Sequence, residues 1–323
     1  MKEILDFILT FSAVLWEAMP FIVLGAVIAG ILEEFLPQQA ITKFLPKAVV
    51  PSVMIGGALG LVFPMCECGI VVVMRRLLRK GLPLSCCIAY MLAGPIINLV
   101  VIFSTWIAFK DHKIGPEVVG LRIGLGFITA VVTGLVVQSL WAKHGTKLLT
   151  ASAMPPAPKP SLSLNVVEAD EPPKSKRTPM QRLGNISSTA MHDFVDITVF
   201  LILGAVLAAV AKQYVSSEQI ESLSTSEPYL AIPAMMVMAV LMCLCSEADA
   251  FVAASFTKMH ISAKMAFLVL GPMLDLKLLM MYTRVFKPRL IATIVTCVVI
   301  QVLLYCFALH VIYQQNGWTG MPG

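Results

Sequence analysis

Six consecutive residues, Pro64-Met65-Cys66-Glu67-Cys68-Gly69, set two thiols, a carboxylate and two helix-disfavouring residues inside an apolar run. A second polar knot, Cys243-Leu244-Cys245-Ser246-Glu247-Ala248-Asp249, interrupts another apolar run in the C-terminal half. Thiolates select soft ions such as zinc, copper(I) and, by the same logic, trivalent arsenic. Residues two apart do not share a helix face, so Cys66 and Cys68 can converge on one ligand only where the chain is unwound. Pro64 and Gly69 encourage that unwinding. Together with Cys243 and Cys245 they form a candidate soft-metal or metalloid set. The alternative is that both pairs are small, buried and inert. Cys86, Cys87, Cys297 and Cys306 are assigned to packing.

The carboxylates Glu67, Glu247, Asp249 and Asp275 lie well inside apolar runs, and Glu17 and Asp196 lie in the first segment of each half. A charge at the centre of a spanning helix costs at least about 2.5–3.5 kcal/mol, so such residues mark an ion pathway, a proton relay or an internal ion pair. Lys277 is a candidate partner for Asp275, although residues two apart do not face each other on a regular helix. Gly94-Pro95 and Gly271-Pro272 are further breaks. Asn98 and Asp275 follow them, placed to cap a half-helix or to coordinate a cation. Arg75 and Arg76 read as topology anchors.

These residues need a scaffold, and composition names its class. Hydrophobic residues make up 58% of the 323 and charged residues 13%, with a mean hydropathy of +0.85. A soluble domain is nearer half apolar and a quarter charged. The runs are too long for β-barrel strands and lack period-two alternation. The chain reads as an all-α polytopic membrane protein, with the lipid bilayer as its surroundings and about eight transmembrane helices at 7–32, 49–74, 83–109, 118–141, 188–212, 229–256, 263–284 and 290–313. The first run is too long for a signal-peptide core, so it reads as retained. The formal charge of +5 reports topology rather than a nucleic-acid partner. No P-loop and no His-Glu-x-x-His occurs, no cofactor is implied, and an enzyme is not expected. Counted as eight crossings, the basic loops favour a multi-pass protein of the cell (inner) membrane with both termini in the cytoplasm.

A shift of 177 residues aligns Cys66 with Cys243, Cys68 with Cys245, Gly94-Pro95 with Gly271-Pro272, and Asn98 with Asp275. Two homologous four-segment halves follow, 1–144 and 187–323, with broken helices at the centre. They are joined by a flexible Pro-rich cytoplasmic linker over 145–186. Transporters built from repeats place the substrate at the repeat interface. Four full crossings per half give parallel repeats; a segment that turns back in each half gives inverted ones.

The motifs Pro64 to Gly69, Arg75-Arg76-Leu77-Leu78-Arg79-Lys80-Gly81 and Ala93-Gly94-Pro95-Ile96-Ile97-Asn98, with Cys245 to Phe251 and Gly271 to Lys277, together resemble the predicted-permease family (UPF0718) that includes the trivalent organoarsenical efflux permeases. The resemblance covers all but the central linker. It implies a permease and suggests trivalent arsenicals as substrate; Glu67 between the cysteines leaves room for a divalent metal. The leading expectation is a proton-coupled secondary transporter that exports a small thiophilic metal or metalloid species. Cys66, Cys68, Cys243 and Cys245 would bind, Glu67, Glu247, Asp249 and Asp275 would carry charge, and Asn98 would shape the site. Other readings are a permease for another small cation or organic solute, a membrane anchor subunit, or a thiol oxidoreductase. Assembly as a homo-oligomer stays open.

Overall fold

The computed structural model describes residues 2–35, 46, 48–63, 65–110, 114–150, 153, 179–214, 228–257 and 259–317. Pro64 and most of the expected linker lie outside the described residues. Twelve α-helices are described: α1 (Lys2–Phe35), α2 (Val49–Val62), α3 (Glu67–Arg79), α4 (Leu84–Ala93), α5 (Leu99–Ala108), α6 (Gly115–His144), α7 (Pro179–Tyr214), α8 (Pro228–Met242), α9 (Asp249–Ser255), α10 (Ile261–Leu270), α11 (Leu276–Val285) and α12 (Pro288–Gln315). Four of them, α1, α6, α7 and α12, are long and apolar enough to cross a membrane. Each half is therefore one long helix, four short ones and another long one. The helix α7 begins at Pro179, ahead of the expected 187.

Helix directions follow from who touches whom. On α3, Gly69 lies against Gly25 of α1, and Lys80 donates to the Glu33 carbonyl at the end of α1. So α3 runs parallel to α1. On α2, Gly56 meets Cys86 and Gly60 meets Gly94, so α2 runs parallel to α4 and antiparallel to α3. The segment 49–74 is a hairpin that enters from the face where α1 ends, turns at mid-depth and leaves by the same face. In the second half, Tyr229 stacks near His310 as His260 does, and Ala239 lies beside Gly271. Thus α8 runs parallel to α10, and α9, which starts at the centre and leads back to His260, runs against α8. The expected eight crossings become six crossings and two re-entrant hairpins. The sequence shows the apolar length but not the reversal, because a break at mid-depth can either kink a helix or turn it back.

Three crossings per half make α1 and α7 antiparallel: Gly30 packs on Ile186, and Arg182 sits within 4.0 Å of Glu34. The same holds for α6 and α12, where Gln301 donates to Thr133 at 2.9 Å and Tyr313 donates to Glu117. Close approach is bought with glycine. A Cβ on Gly60 would lie 2.5 Å from the Gly94 Cα, and one on Gly204 of α7 would lie 2.5 Å from the Lys277 Cα of α11. Gly56 and Gly60 form the small-xxx-small contact that lets helix backbones meet in lipid. Gly69, expected as a break, is instead helical in the first turn of α3. Its added Cβ would lie 2.9 Å from the Phe21 carbonyl oxygen, so it serves close packing.

The chain ends of α6 and α11 meet on one face, where Leu149 bridges Phe286 and Lys287 N–H donates to the Leu148 carbonyl at 3.0 Å. That face also holds the start of α7. The start of α1 and the end of α12 lie on the other. The start of α1 and the end of α12 thus lie opposite the flanks of the central segment, whereas the eight crossings expected from the sequence put termini and linker on one face. Outward positions are apolar, with Trp16, Leu99, Phe103, Val199 and Leu304 all well exposed, as a lipid-facing surface requires.

Candidate functional site

Four half-helix N-termini converge at the middle of the molecule. Glu67 lies in the first turn of α3 and Asp249 in the first turn of α9. Asn98 caps α5, its side-chain oxygen accepting from Val100 N at 2.6 Å and Val101 N at 3.1 Å. Asp275 caps α11, accepting from Leu278 N at 2.6 Å. Oxygen-bearing side chains suit these positions because each helix start presents unpaired N–H groups and a partial positive charge. The residues Gly94-Pro95 and Gly271-Pro272 form the turns before α5 and α11. Asn98 also donates to the Met65 carbonyl at 3.4 Å, tying the two breaks of the first half together.

Across this meeting point lies one charge cluster. The Lys277 ammonium is 2.8 Å from Glu67 Oε1 and 3.4 Å from Asp275 Oδ2. It donates to the Cys243 carbonyl at 3.1 Å and approaches the Cys245 sulfur at 3.9 Å. The Glu67 contact lacks hydrogen-bond geometry and is Coulombic. All three charged side chains are buried. Lys277 reaches Asp275 despite the two-residue spacing because Asp275 is a cap with extended backbone (φ −141°, ψ 175°), outside the helical register. Ser246 Oγ lies 3.4 Å from both Glu67 and Glu247. Glu17, half-buried on α1, faces Cys245, Lys277 and Glu67.

The thiols surround this cluster. Cys66 is the N-cap residue of α3 and Cys68 lies in its first turn, while Cys243 and Cys245 lie in the unwound stretch between α8 and α9. All four are buried and free. Cys243 is held at φ 49°, a left-handed conformation that is strained for a residue with a Cβ. Among the described residues no group of three or more His, Cys, Asp or Glu side chains is arranged to hold a metal ion. The four sulfurs thus do not form a ready-made metal cage.

A second buried pair braces the site. Arg122 of α6 grips both Asp249 oxygens at 2.8 Å and donates to the Ser246 carbonyl at 3.0 Å and to Thr105 at 2.7 Å. Arg122, Lys277 and Ser246 were not among the expected site residues. Arg122 carried a signal: a lone cation in the apolar run 118–141 requires a buried partner. Asp196 stands apart from the cluster. It pairs with Arg75 at 2.5 Å and Arg284 at 2.8 Å, and Asp193 pairs with Arg75 and, at 2.7 Å, with Arg76. Arg75 and Arg76 are therefore buried ion-pair partners as well as basic residues near a helix end.

Comparison with known proteins places this geometry. The family model described as predicted permease matches residues 3–311. The chain belongs to that predicted permease family. It is 33% identical over 297 residues to the UPF0718 protein YcgR of Bacillus subtilis (strain 168), covering 91% of this chain and 93% of that one. It is 31% identical over 311 residues, 96% of this chain and 97% of the other, to a Streptococcus mutans serotype c (strain ATCC 700610 / UA159) protein whose name describes a two-component membrane permease complex subunit. No solved structure matches. The match spans both halves of the permease, so the central cluster belongs to the family fold rather than to an appended domain.

Proposed function

We propose that this permease is a secondary transporter that moves a small thiophilic metal or metalloid species, such as a trivalent arsenical, outward in exchange for protons. The observation that carries the reading is the contact between Glu67 of the first half and Lys277 of the second, inside two Cys-x-Cys pairs. Broken helices meeting at the interface of two antiparallel halves are where repeat-built transporters hold their cargo. Glu67 and Asp275 place two carboxylates against one ammonium, so the cluster can accept a proton. A soft metal cation bound by the thiols displaces their protons, which these carboxylates are positioned to receive; a trivalent arsenic hydroxide instead condenses with the thiols, whose protons leave with its hydroxides as water. When the site is empty, Lys277 neutralises Glu67, which lets the unloaded carrier return without an exposed buried charge. Everted vesicles given trivalent methylarsenical, arsenite, zinc or copper(I) in the outside medium test this. Uptake of at least one probe that stops when the proton gradient is collapsed is expected; uptake indifferent to the gradient removes the coupling.

The distribution of basic residues over the two faces supports an orientation. Among the described residues, the face where α3 and α11 end carries Arg75, Arg76, Arg79, Lys80, Lys143, Lys147, Arg182, Arg284, Lys287 and Arg289, and the opposite face carries Lys2, Lys110, Lys212 and Lys264. Basic residues are retained inside. The central segment is then cytoplasmic and both termini are outside, the reverse of the orientation expected for the termini from eight crossings. A phosphatase reporter fused at the C-terminus should be active and one inserted near residue 165 inactive; the opposite pattern refutes this orientation. The name of the streptococcal relative favours a second reading, in which the chain works as one subunit of a two-component assembly. Transport by the purified single chain would set it aside.

A further inference from the structure

On the basic face, α3, α7 and α11 line an open cavity of about 350 Å³. Four guanidinium groups line it, those of Arg75, Arg76, Arg79 and Arg284, against only two carboxylates, Asp193 and Asp196. Both carboxylates are already engaged, Asp193 by Arg75 and Arg76 and Asp196 by Arg75 and Arg284. Glu33 lies 3.8 Å from Arg76 as a third carboxylate, so the four arginines exceed these carboxylates by one positive charge. Among the described residues Arg79 pairs with no carboxylate, and Arg75 Nε, in a side chain only 4% exposed, has no hydrogen-bond partner. Ser188 and Thr189 bring hydroxyl donors to the same space from α7.

We propose that this cavity binds a phosphate-type oxyanion, either free or as the head group of an anionic phospholipid. Three features point to that chemistry. A planar guanidinium presents paired N–H donors that match the oxygen spacing of phosphate. Asp193 and Asp196 hold Arg75, Arg76 and Arg284 in fixed orientations, so little ordering is left for binding. The surplus charge attracts an anion to this open site, and the buried Arg75 Nε is costly without an acceptor. The cavity lies on the same two helices as Glu67 and Lys277, about two turns nearer the basic face. An anion seated there would clasp α3 of the first half to α7 and α11 of the second.

The test uses full-length protein in neutral detergent, titrated with inorganic phosphate at constant ionic strength against a chloride control, with thermal unfolding as readout. A second arm compares nanodiscs of phosphatidylglycerol with phosphatidylcholine. Wild type is expected to be stabilised by phosphate, by phosphatidylglycerol, or by both. Arg79→Gln, which breaks no ion pair, should weaken the response about tenfold, equivalent to about 1.4 kcal/mol. Ser188→Ala with Thr189→Ala should weaken it less. A response to phosphate identifies a free anion, and a response confined to phosphatidylglycerol identifies a lipid. No response in either arm, or one that Arg79→Gln leaves unchanged, overturns the proposal.

Discussion

Lys277→Met is expected to abolish transport and to destabilise the protein by about 3–5 kcal/mol, the usual cost of stripping one partner from a buried ion pair. The variant keeps a side chain of similar length but leaves Glu67 and Asp275, both buried, without their cation. It also frees the Cys243 carbonyl that Lys277 satisfies at 3.1 Å in a strained stretch of backbone. A purely structural role is separable from a functional one. Adding Glu67→Gln and Asp275→Asn to Lys277→Met removes the orphaned charges, so stability should return while transport stays absent. Thermal unfolding and vesicle uptake on the two variants read this out. A single variant that is both stable and active would show that the cluster does not matter.

Arg122→Met should have a comparable effect on stability, again about 3–5 kcal/mol. Arg122 and Asp249 are both almost fully buried, and among the described residues no other cation touches this carboxylate. The pair links α6 of the first half to the start of α9 in the second, and Arg122 further supports the unwound stretch through the Ser246 carbonyl. Asp249→Asn keeps an acceptor at the start of α9 and removes the charge. Combined with Arg122→Met it should recover much of the loss, with a coupling of about 0.5–3 kcal/mol in the double-mutant cycle. Strictly additive losses would mean that the two side chains act independently.

Much of this site was visible in the residues. The duplicated Cys-x-Cys, the Gly-Pro breaks and the Asn98/Asp275 correspondence located the centre, because breaks and charges in apolar runs are costly enough to be informative. What the sequence left open was direction and partnership. Apolar length is the same for a kinked crossing and for a hairpin that turns back, so the reversal between α2 and α3 came from the contacts of Gly56, Gly60 and Gly69. The face assignment of Lys287 and Arg289, which fitted an eight-crossing count poorly, follows once each half has three crossings. Lys277 was set against by a rule for regular helix, and its neighbour Asp275 is not in one. Asp196 looked like a repeat-related relay carboxylate, yet the arginines of α3 and α11 claim it.

The most direct measurement is uptake of a trivalent methylarsenical by proteoliposomes containing wild type or the paired variant Cys66→Ser with Cys243→Ser. Serine preserves size at these buried positions and removes the soft ligand. The account predicts uptake by wild type and its loss in a variant that unfolds at the same temperature as wild type. Uptake that survives the substitutions in equally folded protein would contradict a thiol-dependent site.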